Sequence, residues 1–366
     1  MNSWRSLVVI ACVLVLSSVA LGNIGAVTRG FVVTAFAPAA YEGDYQCPAG
    51  FAEGPDTKAI LAKLPQAERE RLLRPEHSAE LMLTVRQALE DSHVIFKTVK
   101  GKRAYGLNLD RSEGETARLN SCAHEDFVGP SGERGIDNQW YRAIGCMQES
   151  RPGGALHEYF NTSMRKGDFA ILIEIDGIDD PLDDAEVRVG FYRAADPLAN
   201  AGQTAGGNVR MQVHYDNYFH SVARGRIVKG TLITEPVDMR FKATPRMREL
   251  VIRDARVQME FQRGGQLKGI LGGYQELQVL HAAAREALRA ETTFGPLTCR
   301  CFSPTLASLA DGYPDPKQDG PCGWISVAYE VEAMPATVIH SAVERRPTTK
   351  QVDESESWWR KLLWWR

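Results

Sequence analysis

A mainly β protein of α+β type is predicted from this sequence: an antiparallel β-sandwich or jelly-roll-like core, flanked by helices and held by disulfides. Two observations carry the prediction. Five runs between residues 169 and 261 alternate apolar and polar side chains, and period-two spacing puts one set on a buried sheet face and the other in water. Six cysteines, Cys47, Cys122, Cys146, Cys299, Cys301 and Cys322, follow an apolar N-terminal segment. An even set of thiols in an exported chain reads as a disulfide framework.

The chain opens with Arg5, the apolar run Leu7 to Leu16 and the small residues Ser17-Ser18-Val19-Ala20. That is the pattern of a secretory signal peptide cleaved after Ala20. Apolar character continues to Val27, about the length that spans a bilayer. A second apolar stretch, Phe31 to Ala40, holds another cleavage-type pattern at Ala35-Phe36-Ala37. Residues 1–40 are therefore assigned to a signal peptide or an N-terminal membrane anchor. Val9-Ile10-Ala11-Cys12 looks like a lipidation box, but too short an apolar stretch precedes it.

Residues 41–105 form a helical N-terminal region. Asp56-Thr57 starts a helix carrying Ile60, Leu61, Leu64 and Leu72, with Pro65 restarting it and Pro75 ending it. A second helix carries Leu81, Val85, Ala88 and Leu89 at helical spacing. Residues 106–343 are the β-rich domain with cysteine-bearing loops, and its stretch up to 167 reads as irregular. The alternating runs then follow at 169–176, 187–192, 209–215, 237–242 and 254–261. Val187, Val189, Val209, Met211, Val213, Val257, Met259 and Phe261 are the predicted core face. Gly264-Gly265 makes a hairpin into Leu267 to Leu271, because tight turns need positive φ. A helix with Leu277, Leu280, Ala284 and Leu288 follows, then a strand from Ile325 to Val331. Residues 344–366 are a flexible tail with a Trp/Arg-rich end.

Composition excludes little. The chain has 366 residues, 44% hydrophobic and 24% charged, enough to bury a large core. A net charge of −3 and the lack of a basic stripe with interleaved aromatics argue against nucleic acid as a partner. Nucleophile-elbow, P-loop, dinucleotide and zinc-hydrolase signatures do not occur. His124-Glu125 and His157-Glu158 begin the last pattern without its second histidine.

Three constellations could carry chemistry. Cys122, His124, Glu125, Asp126, Asp137 and Cys146 have ligand types suited to copper or zinc, set against a Cys122–Cys146 disulfide closing a turn-rich loop. Cys301–Cys322 and Cys47–Cys299 are the companion pairs expected. Asp176, Asp179, Asp180, Asp183 and Asp184 crowd one loop and offer hard oxygen ligands for calcium, although without EF-hand spacing. The alternative is a solvated acidic turn. His214-Tyr215-Asp216-Asn217-Tyr218-Phe219-His220 interleaves aromatic and polar groups at a strand end, either a sugar-stacking platform or a sheet edge over the core. Asn161-Thr162-Ser163 is a glycosylation acceptor if the host glycosylates.

Cys122-x-His124-x-Asp126-Phe127, Gly135-Ile136-Asp137-Asn138-Gln139 and Gly145-Cys146 resemble a segment of uncharacterised exported bacterial proteins with a Gly-Ile/Val-Asp-Asn motif before β-rich segments. The resemblance covers roughly residues 120–340. It implies a bacterial cell-envelope setting and no activity.

The functional expectation is a non-catalytic binding or structural module of the envelope, in the periplasm or on the periplasmic face of the inner membrane. Its partners would be an envelope component or glycan, and the membrane through the N-terminal segment. Trp358, Trp359, Trp364 and Trp365, set among Arg and Lys, suit a headgroup boundary. The alternatives are a glycan-active hydrolase or lyase of jelly-roll type, needing two carboxyls across the scissile bond, and a copper or zinc carrier using Cys299, Cys301, Cys322 and His124.

Overall fold

The computed structural model describes residues 26–52, 57–90, 97–112, 121–122, 124–166, 170–195, 209–242, 249–282, 302–314 and 322–340. Eight strands close into an antiparallel up-and-down barrel: β1 (Val27–Pro38), β2 (Ile171–Ile178), β3 (Asp183–Arg193), β5 (His220–Val228), β6 (Thr231–Thr234), β8 (Glu249–Phe261), β9 (Leu267–Glu276) and β11 (Cys322–Pro335). Four short strands are accessory. β7 (Val237–Lys242) pairs with β8, β10 (Gly312–Pro314) pairs with β11, and β4 (Arg210–Gln212) and β12 (Thr337–Ile339) pair in parallel.

The mainly β class and the disulfides hold, but the core is a barrel and not a sandwich or jelly roll. Closure depends on β1, which bonds β2 on one edge and β11 on the other. By sequence this stretch falls within the expected signal peptide or membrane anchor of residues 1–40. In the structure Phe31, Val32, Val33 and Phe36 are buried, and the second cleavage-type pattern lies inside the strand. A sheet without β1 has two free edges; with it the wall closes, and the outer edges left belong to the short accessory strands β7 and β10. The first cleavage pattern and Cys12 lie outside the described residues.

The barrel interior is filled by side chains. Val187, Val189 and Phe191 of β3 stand opposite Gly225, Ala223 and Ser221 of β5. Leu232 faces Met259, and Leu267, Gly269 and Leu271 face Phe261, Met259 and Val257. Val331 and Val327 of β11 face Gly269 and Gly273. Large side chains set against small ones are how an eight-stranded barrel fills its lumen. Phe36 stacks on Tyr329 with centroids 4.6 Å apart. The predicted core residues Val187, Val189, Val209, Met211, Val213, Val257 and Met259 are buried, and Phe261 packs partly buried against them. Arg188, Arg210, Gln212, Gln258 and Glu260 point to water. The Gly264-Gly265 hairpin joins β8 to β9 with both glycines at positive φ.

Helices surround the barrel. α1 (Thr57–Ala62), α2 (Gln66–Leu72) and α3 (Ser78–Glu90) match the expected N-terminal pair with its break at Pro65. The stretch read as irregular holds two helices, α4 (Gln139–Ile144) and α5 (Ala155–Lys166). In α5, Leu156, Phe160 and Met164 bury one stripe at four-residue spacing, and Phe160 sits 6.1 Å from Phe36. Asn161 is only 7% exposed, and its Oδ1 accepts from the Phe36 amide at 3.0 Å. It therefore serves the β1–α5 contact rather than standing out as a glycan acceptor. Residues 277–282 are helical, and α6 (Phe302–Leu309) packs on α4 through Trp140 and Phe302.

The disulfides are Cys47–Cys146 and Cys122–Cys322, not the expected Cys122–Cys146, Cys301–Cys322 and Cys47–Cys299. Sequence proximity misled: Cys146 is drawn to Cys47 by a small core of Ala40, Val99, Ala104, Phe127, Ile136 and Tyr141. Cys122 runs beside β10 and meets Cys322 at the start of β11. Cys299 and Cys301 lie outside the described residues, as do Trp358, Trp359, Trp364 and Trp365. No described helix is long and apolar enough to cross a membrane.

Candidate functional site

The segment that carries the resemblance forms a layer over the outer wall of β8, β9 and β11. Each residue of Gly135-Ile136-Asp137-Asn138-Gln139 has a separate task. Gly135 takes φ +71°, a left-handed conformation that costs a side-chain-bearing residue but not glycine. Ile136 exchanges both main-chain hydrogen bonds with Phe127. Asn138 caps α4, accepting from the Tyr141 amide at 3.0 Å and donating to Tyr105 O at 2.8 Å. Gln139 donates from its main chain to Ser326 Oγ at 2.8 Å and from its side chain to Glu125 O at 3.1 Å. Arg142 donates to Gln139 Oε1 and lies over the Phe127 ring at 4.0 Å.

Asp137 is the centre of the layer. Its Oδ2 accepts from the amides of Leu109 at 2.6 Å and Asp110 at 3.3 Å. A second carboxyl lies nearby, on the segment before β10. Asp311 Oδ1 accepts from the Ser326 amide at 2.6 Å, and the Ser326 hydroxyl also bonds this carboxyl. The two side chains are 5% and 3% exposed. Burial, reinforced by each other and by Asp110, pushes Asp137 up to about 8. Burial pushes Asp311 up to about 7 against its hydrogen bonds from Ser326. Tyr274, buried beside both acids, is held firmly in its phenol form by burial and their charge. Arg256 bridges wall to layer, donating to Asn108 O at 2.9 Å and Leu109 O at 2.7 Å.

None of Asp311, Ser326, Tyr274 and Arg256 is singled out as a site residue by the sequence: Asp311 reads as part of a turn and Arg256 as the wet face of a strand. Only the pleat exposes them as a group: Ser326, Tyr274 and Arg256 are outward residues of three adjacent strands. His124 sits at the layer's edge, its Nε2 donating to Ala310 O at 2.9 Å, and burial lowers its pKa. Cys122 and Cys146 are both in disulfides and offer no thiolate. The constellation of Cys122, His124, Asp126, Asp137 and Cys146 is thus a knot of structural contacts.

Beside this layer an open groove of about 470 Å³ runs along β6, β8 and β9, with Tyr105 and Arg134 on one lip and Gln258, Glu260 and Lys268 on the other. Lys268 is paired with Glu332 at 2.7 Å.

The acidic loop lies elsewhere, at the β2–β3 turn. Asp184 accepts from the amides of Asp179 at 2.7 Å and Glu186 at 3.1 Å, and Asp180 accepts from Leu182 at 2.8 Å. Asp176 holds Thr28 and Arg188. These carboxylates stabilise their own turn, the usual role of Asp there. Among the described residues no three His, Cys, Asp or Glu side chains group as metal ligands do. The turn at 214–220 joins β4 to β5 and rests against β3 and β7, with Tyr215 75% and Tyr218 52% exposed and His214, Asp216, Phe219 and His220 half-buried.

No family model matches this chain, and no curated protein or solved structure is significantly similar to it.

Proposed function

We propose that this is an exported binding module of the bacterial cell envelope, which takes its ligand on the outside of a filled barrel and does no covalent chemistry on it. One observation carries the reading: the two carboxyls with the most acid–base potential, Asp137 and Asp311, are sealed between wall and layer and already hydrogen-bonded to backbone amides. Glycosidic cleavage needs two carboxyls flanking a substrate-sized gap, and acid–base groups must reach the proton they move. The described strands turn large apolar side chains into the lumen opposite small ones, which disfavours that other usual barrel site. Recognition then falls to the outer surface, where the groove and the 214–220 turn lie. Two disulfides support an oxidising compartment, since such bonds persist there, and they occupy Cys322, which a metal carrier would need as a thiolate.

The test is cosedimentation of the purified, disulfide-intact protein with washed cell-envelope fractions: sacculi, inner-membrane vesicles and outer-membrane vesicles. Saturable retention by one fraction, unchanged in composition after incubation, is the expected result. Release of soluble fragments from any fraction would establish an enzyme, and no retention by any of the three would refute the binding reading.

A further inference from the structure

We infer that the turn at residues 214–220 is a carbohydrate-binding platform that takes a neutral oligosaccharide by stacking on Tyr215 and Tyr218. This rests on the binding reading above and names its ligand class. The two rings are more exposed than any packing role requires, and both are held rigid from behind. Tyr215 stacks on His214, with centroids 4.4 Å apart and planes 27° apart. His214 is itself fixed: its Nδ1 accepts from the Asp216 amide at 3.1 Å, and its carbonyl accepts from His220 Nε2 at 3.0 Å. An imidazole accepting at Nδ1 is in its neutral form. Burial together with the charge of Arg193 favours that form.

Tyr218 is locked by other means. Its hydroxyl accepts from Arg240 at 2.8 Å and donates to Glu249 at 3.2 Å, and Arg240 lies 5.0 Å from the ring. Phe219 meets it edge-on at 5.2 Å. Asp216 closes the short 3-10 turn by accepting from the Tyr218 amide at 3.1 Å. Ordering two exposed rings before any ligand arrives lowers the entropy cost of binding.

Charge and polarity around the rings select the ligand. The nearby charges nearly cancel, with Arg193, Arg240 and Lys242 against Asp216 and Glu249, and the single positive charge in excess makes an anionic surface the rival that the test must separate from a neutral sugar. The neighbouring side chains Gln212, Asp216 and Asn217 are polar, unlike the apolar companions of a protein-docking patch. A sugar ring offers polarised C–H groups to the negative face of a phenol ring, and hydroxyls to polar neighbours. Two residues, Asp216 and Asn217, lie between the tyrosines, so their Cα atoms are at most about 11 Å apart, which suits one or two sugar units.

The experiment titrates the full chain with cellotetraose, chitotetraose and maltotetraose by calorimetry, alongside Tyr215→Ala, Tyr215→Phe and Tyr218→Ala. Saturable binding of at least one tetrasaccharide is expected. It should weaken about tenfold or more in Tyr215→Ala and stay within about threefold of wild type in Tyr215→Phe, with melting temperatures unchanged in both. Tyr218→Ala also loses the Arg240 and Glu249 contacts, so its binding is read only if its melting temperature holds; Tyr215 decides the matter. No binding of any of the three sugars, or equal binding by Tyr215→Ala, would overturn the proposal. So would binding of phosphatidylglycerol vesicles that Tyr215→Ala abolishes, since that makes the turn a lipid contact. Envelope retention that survives Tyr215→Ala refutes this site and leaves the binding reading intact.

Discussion

Replacing Asp137 with Asn tests the buried acid pair directly. In the fold this carboxyl's pKa rises from 3.8 to about 8, so between those values the folded state holds a proton that the unfolded chain has lost. Stability then falls as pH rises, because the slope follows protons bound in the unfolded state minus those in the folded state. Each unit is worth about 1.36 kcal/mol. From about pH 5 to about pH 7.5 one such carboxyl thus costs up to roughly 3 kcal/mol, and relaxation around the charge reduces that. Asp311 adds a slope of the same sign up to about 7. With a protein this size losing about 2–4 °C per kcal/mol, the wild-type melting temperature should fall by several degrees from pH 5 to 8. Asp137→Asn keeps the acceptor oxygen for Leu109 and removes the titration. Its curve should be flatter and cross the wild type's, slightly less stable at pH 5 and more stable at pH 8. Scanning calorimetry across that range measures both curves. Parallel curves, or a wild type that gains stability from pH 5 to 8, would refute the reasoning.

Three further outcomes follow from packing and connectivity. Met259→Asp places an unpaired charge in the barrel interior and should cost about 3–5 kcal/mol in urea unfolding, whereas Gln258→Asp on the outer face should cost under about 1. Gly30 sits where the β12 strap crosses the wall: a Cβ there would meet Ala336 O at 2.5 Å and Val338 Cγ2 at 2.8 Å. Gly30→Ala should therefore destabilise by about 1–3 kcal/mol, and a matching Val338→Ala should recover only part of that, because the carbonyl clash remains. Alkylation of the native, unreduced protein should leave Cys47, Cys122, Cys146 and Cys322 unlabelled by mass spectrometry, and Cys122→Ser with Cys322→Ser should lower stability by about 3–5 kcal/mol.

Local alternation was legible in most, but not all, strands with one wet face. β3 and β8 read correctly because Arg188 and Gln258 face water between buried neighbours, whereas β5, whose Val222, Arg224 and Arg226 alternate with buried residues just as regularly, was missed. β2 is buried on both faces over most of its length, yet Ile171, Ile173 and Ile175 still marked it. α5 was readable too, since Leu156, Phe160 and Met164 keep helical spacing, but the glycines before it drew attention away. The candidate sites divide in the same way. The turn at 214–220 is contiguous, so its aromatic–polar mix stood out. The acid pair joins positions 137 and 311, and nothing local links them.

The sequence by itself determined the β class, the buried faces, the hairpin at Gly264-Gly265 and the conditions for disulfides. These follow from side-chain period, backbone freedom and residue type, all properties of neighbours along the chain. Only the tertiary structure decided that the sheet closes, that Cys47 meets Cys146 and Cys122 meets Cys322, and that Asp137 and Asp311 share one dry layer. Closure requires β1 to find β11 across nearly the whole chain. Such pairings are settled by which burial satisfies the most backbone groups at once, and no short stretch of residues records that.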